Sequence, residues 1–230
     1  MRAALESLLR ARKLDVTLTS ADAAVLPPER LAPTGDAALD ALLGGGLRRG
    51  HLSEMTGAPS TGRSSVVVSA LAAAADRGEA VALVDACDTF DPASAAARGL
   101  ALERMLWVRP PVPPAADAAC ALKAFSLILQ AGGFGLVVLD LADVAAPALR
   151  RLPCTSWMRI ARIVEGSETA ALLVGAEHIA RSSGGVTVAL AAAPARWRGA
   201  APRARLFSGL VPAPRAIGVR HATALTGVGR

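Results

Sequence analysis

Short apolar segments rich in β-branched residues recur along the chain, and longer helix-like stretches separate them. Each apolar segment is short and nearly continuous, which predicts a buried strand. The predicted strands are residues 51–55, 80–84, 105–108, 136–139, 171–174 and 186–190. The predicted helices are residues 36–43, 64–77, 92–98, 115–131 and 156–165. This alternation predicts an α/β fold, in which helices flank both faces of a mostly parallel sheet.

The pattern also divides the chain into three parts. We expect an N-terminal arm in residues 1–31, a core domain in residues 32–195 and a basic tail in residues 196–230. Within the arm, the spacing of the apolar residues predicts a helix with an apolar stripe in residues 3–13. The alternation of apolar and polar residues then predicts a strand in residues 15–19. The apolar residues of this arm are Leu5, Leu8, Leu9, Val16 and Leu18. They predict docking on a partner or on a second copy, or else packing against the protein's own core.

The composition narrows the class of protein. A chain of 230 residues that is 53% hydrophobic can bury a full core. Cys87, Cys120 and Cys154 include no CxxC pair, so they offer neither a disulfide framework nor a zinc site, and they fit a reducing compartment. No apolar run approaches the roughly 18 residues of a membrane span, and the N-terminus lacks a secretory signal. We therefore expect a cytoplasmic protein that does not act in a membrane.

The positive charge is concentrated in the last third of the chain. The net charge is +6, yet residues 146–230 hold 12 Lys and Arg residues against 3 Asp and Glu residues. From residue 196 onward there are seven arginines and no acidic residue. Such a segment is either a solvated basic tail or a surface for nucleic-acid phosphates, in which case we expect weak, salt-sensitive and sequence-independent DNA binding. The candidate contacts are Arg196, Arg198, Arg203, Arg205, Arg215 and Arg220, with Trp197 among them.

One segment, TGAPSTGRSS, has the outline of a loop that binds phosphate. It follows a predicted strand and precedes a predicted helix, and Gly57 and Gly62 have the spacing of the G-x-x-x-x-G-K-[ST] motif. Ser64, followed by Ser65, supplies the hydroxyl that holds magnesium in such loops. Arg63 replaces the lysine, and a planar guanidinium does not substitute cleanly for a compact ammonium. Two interpretations of this loop therefore stay open. It binds ATP with magnesium as a ligand, or it is a glycine-containing turn without function.

Four motifs in the same order over residues 32–144 resemble the core of RecA-family recombinases. The first covers residues 32–65 and contains Thr34-Gly35, Leu39-Asp40, the run GGLRRG at 45–50 and the phosphate loop. The second covers residues 81–100 and contains DACDTFDP at residues 85–92. The third is MLWVRP at residues 105–110, and the fourth is GLVVLDLADV at residues 135–144. The resemblance implies a RecA-like P-loop NTPase core.

The departures from that family concern its catalytic parts. Cys87 stands where the family carries the glutamate that activates water, and the aromatic residue that stacks on adenine is replaced near Ser94. Asp140 matches the acidic residue near magnesium. A pair that couples nucleotide to DNA in the family is replaced by Ala176-Glu177. The resemblance, with these losses, implies a pseudo-ATPase with no catalytic residue and no certain cofactor.

A short RecA-like core with these losses is similar to the ImuA group of damage-inducible mutagenesis cassettes. That resemblance implies a scaffold in translesion synthesis and SOS mutagenesis. The implied partners are the RecA recombinase, an ImuB-type relative of Y-family polymerases and an error-prone DNA polymerase. The alternative is a divergent DNA-dependent ATPase or recombinase that uses Arg63 in its phosphate loop.

Overall fold

The structure is a computed structural model that describes residues 27–110, 117–180, 185–192 and 194–217. The predicted helix and strand of the N-terminal arm, with the docking residues Leu5, Leu8, Leu9, Val16 and Leu18, lie outside the described residues. Arg220 of the predicted nucleic-acid contacts also lies outside them. Among the described residues, no helix is long and apolar enough to cross a bilayer.

Eleven strands are present in the described part of the chain. They are β1 (Leu31–Ala32), β2 (Leu47–Arg48), β3 (Leu52–Gly57), β4 (Ala80–Asp85), β5 (Met105–Val108), β6 (Phe134–Asp140), β7 (Ala170–Gly175), β8 (Thr187–Ala191), β9 (Ala195–Arg198), β10 (Leu206–Leu210) and β11 (Ala213–Ile217). The central sheet has seven strands in the order β11-β8-β3-β7-β6-β4-β5. All neighbours in it are parallel except β11, which pairs antiparallel with β8. Strands β1 and β2, and β9 and β10, form two small antiparallel sheets.

Helices connect the parallel strands. They are α1 (Ala37–Leu43), α2 (Arg63–Asp76), α3 (Pro92–Ala96), α4 (Ala118–Ala131), α5 (Ala146–Leu149) and α6 (Cys154–Val164), with short 3₁₀ turns at Pro28–Arg30, Leu102–Arg104 and Pro202–Ala204. The predicted α/β class and the mostly parallel sheet are confirmed, and the six predicted strands agree with β3 to β8 to within a few residues. The short helix α5 was not predicted, because four residues carry too little periodicity to be recognised.

The central sheet is covered by helices on both faces. Val84 and Leu139 belong to a core cluster with Phe125 of α4 and Ile160 of α6, and all four side chains are buried. Residues of the same strands that alternate with them, such as Leu83, point to the opposite face by the period of two. Helix α2 lies against β3, β4 and β6. The buried strands therefore read as continuous apolar runs, as a doubly covered parallel sheet requires.

The motif before β3 serves the fold itself. The backbone N–H and the hydroxyl of Thr34 donate to Asp40 Oδ1 at 2.8 and 2.7 Å, and Asp36 caps α1 by accepting from two backbone N–H groups. Gly46 has a φ of 139°, and a Cβ there would lie 2.4 Å from the carbonyl oxygen of Ala32. These residues therefore fix the entry of the chain into the sheet rather than contribute chemistry.

The C-terminal segment differs from the predicted tail over its described residues. Strands β9 and β10 form a hairpin, and β11 is the edge strand of the central sheet, with Arg215 opposite Ala189 of β8. The high arginine content indicated a solvated segment. Antiparallel pairing nevertheless satisfies the backbone of such a segment and leaves its long charged side chains in water.

Candidate functional site

The phosphate loop connects β3 to the N-terminus of α2. A Cβ on Gly57 would lie 2.5 Å from Thr61 Oγ1, and that hydroxyl donates to the Ala58 carbonyl oxygen at 2.9 Å. Gly62 has a φ of 93°, and its carbonyl accepts from Val66 N–H at 3.0 Å. Both glycines are thus required by the compact turn. The turn places the start of a fourteen-residue helix next to the loop, where partial positive charge favours an anion.

The side chain of Arg63 reaches to the turn after β6. Its Nη2 lies 3.4 Å from Asp143 Oδ1, and its Nη1 lies 3.5 Å from the Ala142 carbonyl oxygen. The side chain is only 10% exposed. These are long contacts, but they hold the cation against Asp143. For the guanidinium to neutralise a bound phosphate, it would have to leave this carboxylate.

Two aspartates meet at the carboxyl ends of neighbouring strands, because Asp85 of β4 is opposite Asp140 of β6. Asp85 is buried and accepts from Thr89 N–H at 3.1 Å and Phe90 N–H at 2.8 Å. The pKa of Asp140 is raised to about 6, chiefly by burial, and the charge of Asp85 contributes to this rise. A hydrogen bond of 2.9 Å from Ala142 N–H opposes the pKa rise. This end of the sheet therefore holds more negative charge than its surroundings neutralise.

Cys87 lies beside these carboxylates and packs against the core cluster. Burial, together with the charges of Asp143, Asp140 and Asp85, raises the pKa of its thiol to about 11. The thiol is therefore protonated at neutral pH and cannot accept a proton from water.

The neighbouring carboxylate, Asp88, is held by another partner. Its two oxygens accept from Arg109 Nε at 2.6 Å and from Arg109 Nη2 at 2.7 Å. The Arg109 guanidinium also lies 4.5 Å from the centroid of the Trp107 ring. The hydrogen bonds from Arg109 lower the pKa of Asp88. This ion pair holds Asp88 as a structural partner of Arg109.

A cavity of about 200 Å³ opens beside the phosphate loop and α3. Its lining includes Ser64, Ser65, Asp140 and Ser94, and the Ser94 hydroxyl donates to Asp91. Most small-molecule sites enclose about 300 to 1,000 Å³. The loop and this cavity fit a phosphate group held by backbone N–H groups, with Ser64 and Asp140 as the residues that would face magnesium. Beside this cavity, the Arg63 guanidinium is directed toward Asp143, and Cys87 presents a thiol with a raised pKa.

Glu54 is a buried carboxylate that the sequence analysis missed. It lies in β3, and its Oε1 accepts from Ile179 N–H at 2.6 Å and Ala180 N–H at 3.0 Å. Its other oxygen contacts His178 Nδ1. Glu54 therefore fixes the segment that follows β7, whose first residues are the exposed Ala176-Glu177. The signal in the sequence was a single acidic residue inside an apolar strand, which calls for buried partners.

The predicted nucleic-acid contacts are placed on two neighbouring elements. Arg196 and Arg198 belong to β9, Arg203 and Arg205 lie in the connection to β10, and Arg215 lies in β11. All five side chains are exposed. The structure thus brings four of them together on one hairpin and places the fifth on the edge of the central sheet.

Comparison with known proteins agrees with this fold. A sequence profile of the RecA N-terminal domain matches residues 12–150, more than half of the chain. Protein RecA of Kineococcus radiotolerans is 32% identical over 124 residues, which are 54% of this chain and 34% of that protein. Protein RecA of Streptomyces ambofaciens is 32% identical over 121 residues, which are 52% of this chain and 31% of that protein. The chain thus spans about a third of the length of these relatives.

Among solved structures, the crystal structure of the RadB recombinase superposes with a TM-score of 0.52. The alignment covers 70% of this chain and 83% of that chain, with 18% sequence identity. At this identity the likeness concerns the fold.

We predict that Asp140→Asn stabilises the protein at neutral pH. The folded-state pKa of about 6 lies above the ordinary value of 3.8. The contribution of protonated Asp140 to the free energy of unfolding is therefore fully present below about pH 4, and it is lost as the pH rises through about 6. An asparagine stays neutral and can still accept from Ala142 N–H. Urea unfolding should show a gain of about 1 to 3 kcal/mol at pH 8 and almost none at pH 4. An equal effect at both pH values would contradict the raised pKa of Asp140.

We predict that Cys87 reacts more slowly with iodoacetamide than Cys120 and Cys154, which are exposed. A rise in pKa from 9.0 to about 11 lowers the thiolate fraction at pH 8 about 100-fold. Mass spectrometry of the alkylated peptides measures the three rates, and labelling in urea, where the rates should converge, is the control. Labelling of Cys87 in the folded protein at the rate of the exposed thiols would show that its thiolate is accessible.

Proposed function

This chain belongs to the RecA N-terminal domain family, and we propose that it is a non-hydrolysing accessory protein of DNA damage tolerance, similar to the ImuA group. In this role it links a recombinase filament to error-prone polymerase components during translesion synthesis. The observation that carries the proposal is the neutral, partly buried thiol of Cys87 beside Asp85 and Asp140. It occupies the position where the resemblance expects the glutamate that activates water.

Loss of a positioned general base commonly costs about 10² to 10⁴ in rate. Neither neighbouring acid replaces it. Asp88 is bound by Arg109 through two short hydrogen bonds, and Asp140 lies beside the site proposed for magnesium. The base is therefore missing rather than moved to the next residue.

The cation of the phosphate loop supports the same conclusion. Arg63 is bound to Asp143, so a phosphate would compete with a carboxylate for the guanidinium. A nucleotide that binds here, with magnesium near Ser64, is in this proposal a ligand that is not hydrolysed. The loop then retains its value for the fold, because Gly57 and Gly62 form the turn between β3 and α2.

The scaffold role is supported by an edge strand of the central sheet. In the described part of the chain β5 is the last strand on its side, and Leu106 within it is 44% exposed. An edge strand of this kind accepts a strand from a partner. We propose the N-terminal arm as the complementary element, since its sequence predicts an apolar helical stripe followed by a strand. We propose that the RecA recombinase, an ImuB-type polymerase relative and an error-prone DNA polymerase are the partners.

We predict no ATP hydrolysis above background with magnesium and single-stranded DNA. The background is the Ser64→Ala variant, which lacks the hydroxyl for magnesium. Arg63→Lys alone should also stay at background, because the base is still absent. The rate of hydrolysis by each of the three proteins is measured from the release of inorganic phosphate. Turnover by the wild-type chain that disappears in Ser64→Ala would instead identify a divergent DNA-dependent ATPase that uses Arg63.

We predict that Leu8→Asp combined with Leu9→Asp abolishes co-purification with the recombinase or with a second copy. Two charges on the predicted stripe remove its apolar contact with the partner. The melting temperature should stay nearly unchanged, because in this proposal the stripe does not pack on the protein's own core. Ser7→Asp combined with Ala11→Asp is the matched control, because it adds the same two negative charges to the predicted helix away from the apolar stripe. Loss of several degrees in melting temperature with binding retained would show that the arm packs on its own core.

A further inference from the structure

The hairpin of β9 and β10 exposes two aromatic rings that pack against each other. Trp197 is directly opposite Phe207 in the antiparallel register, so both side chains lie on one face of the hairpin. Their ring centroids are 5.7 Å apart at an interplanar angle of 72°. Trp197 is 53% exposed and Phe207 is 57% exposed. The pair is preorganised, yet about half of each ring remains open to solvent.

Arginines lie on both faces of this hairpin. The Arg205 guanidinium lies 5.9 Å from the centroid of the Trp197 ring, on the same face. Arg196 and Arg198 alternate with Trp197 along β9 and therefore point to the other face. Arg203 lies in the connection between the strands. No acidic residue occurs in the sequence after Glu177, so the hairpin carries positive charge with no carboxylate of its own segment to neutralise it.

A hydrogen bond closes the hairpin at its base, next to the central sheet. Val211 N–H donates to the Pro194 carbonyl oxygen at 3.1 Å, and β11 continues directly into the central sheet. Pro212, between the hairpin and β11, passes close to the phosphate loop, since a Cβ on Gly62 would lie 3.3 Å from its Cγ. The aromatic pair and its arginines therefore lie on a closed hairpin whose base leads into the central sheet. This surface lies beyond residue 150, where the match to the family ends.

We propose that this hairpin is a binding platform for single-stranded DNA. Exposed aromatic faces stack on unpaired bases of any sequence, and arginines contact the phosphates between them. Duplex DNA offers the same phosphates, but its bases are already stacked on one another. The combination of open rings with unneutralised arginines therefore favours a single strand over a duplex and over a neutral protein surface.

The choice of DNA over RNA rests on the proposed function and on the composition of the hairpin. Between residues 194 and 217 the sequence offers one hydroxyl side chain, Ser208, and no side-chain amide. Specific recognition of RNA commonly uses such groups to contact the 2′-hydroxyl. The surface therefore has little means of selecting RNA.

Fluorescence anisotropy with a labelled oligothymidine at low salt tests the proposal. Trp197→Ala combined with Phe207→Ala should weaken binding about 10-fold or more, since both stacking faces are lost. Trp197→Phe combined with Phe207→Tyr keeps two rings and should retain most of the affinity. Arg203→Ala combined with Arg205→Ala should weaken binding and reduce its salt dependence, because Arg205 lies on the face of the rings. Arg150→Ala combined with Arg151→Ala removes the same charge from exposed residues elsewhere and should change affinity much less.

Tryptophan fluorescence provides a second readout. Oligothymidine should quench the wild-type emission, and the quenching should be smaller in Trp197→Phe, because stacking places a base directly on this exposed ring. Circular dichroism checks that each variant is folded. If the alanine ring variant does not fold, the ring-retaining variant still tests whether two aromatic rings suffice for binding.

Four results would overturn the proposal. The first is equal affinity for the single strand and for a duplex of the same length, and the second is a folded alanine ring variant that binds as tightly as the wild type. The third is a 10-fold preference for oligouridine over oligothymidine, and the fourth is no DNA binding at low salt. If DNA binding is absent and the alanine ring variant instead loses co-purification with a polymerase component, the hairpin is a protein interface. Binding to the single strand at low salt that is lost in the folded alanine ring variant would support the proposal that the hairpin binds single-stranded DNA.

Discussion

The burial of negative charge at the carboxyl ends of β4 and β6 is the constraint on which the site depends. Parallel register places Asp85 next to Asp140, and Asp143 follows in the turn after β6. Two backbone N–H groups stabilise Asp85, whereas Asp140 responds to burial with a pKa of about 6. Arg63 is drawn to Asp143. The positions of the cation and of the protons in this site follow from this balance of charge.

The same balance makes a neutral residue favourable at position 87. A carboxylate there would add another negative charge beside Asp85, Asp140 and Asp143, and it would require a compensating cation. The protonated thiol of Cys87 avoids that cost and packs against the core. The two departures from the family's catalytic pattern, at Cys87 and Arg63, are therefore consistent with each other. Both suit a site that keeps its turn geometry without carrying out phosphoryl transfer.

Much of the fold could be predicted because local pattern and tertiary structure agree there. Buried parallel strands are apolar on both faces, so β3 to β8 are visible in the sequence, and the spacing of Gly57 and Gly62 reflects a turn that needs both glycines. The pairing partners of Glu54 could not be predicted, because they are backbone groups more than 120 residues away. Nor could the hairpin, since its stability comes from cross-strand pairing while its composition resembles a solvated segment. Its Trp197–Phe207 contact joins residues that only the register brings together.

The most direct test of the account is a crystal structure of the protein grown with ATP and magnesium and kept for several days before data collection. The account predicts that Arg63 stays within salt-bridge distance of Asp143, and that any nucleotide in the loop is intact ATP without a water held by Cys87 opposite the terminal phosphate. The contradicting result is ADP in the loop, with Arg63 released from Asp143 and turned to the position of the departed phosphate.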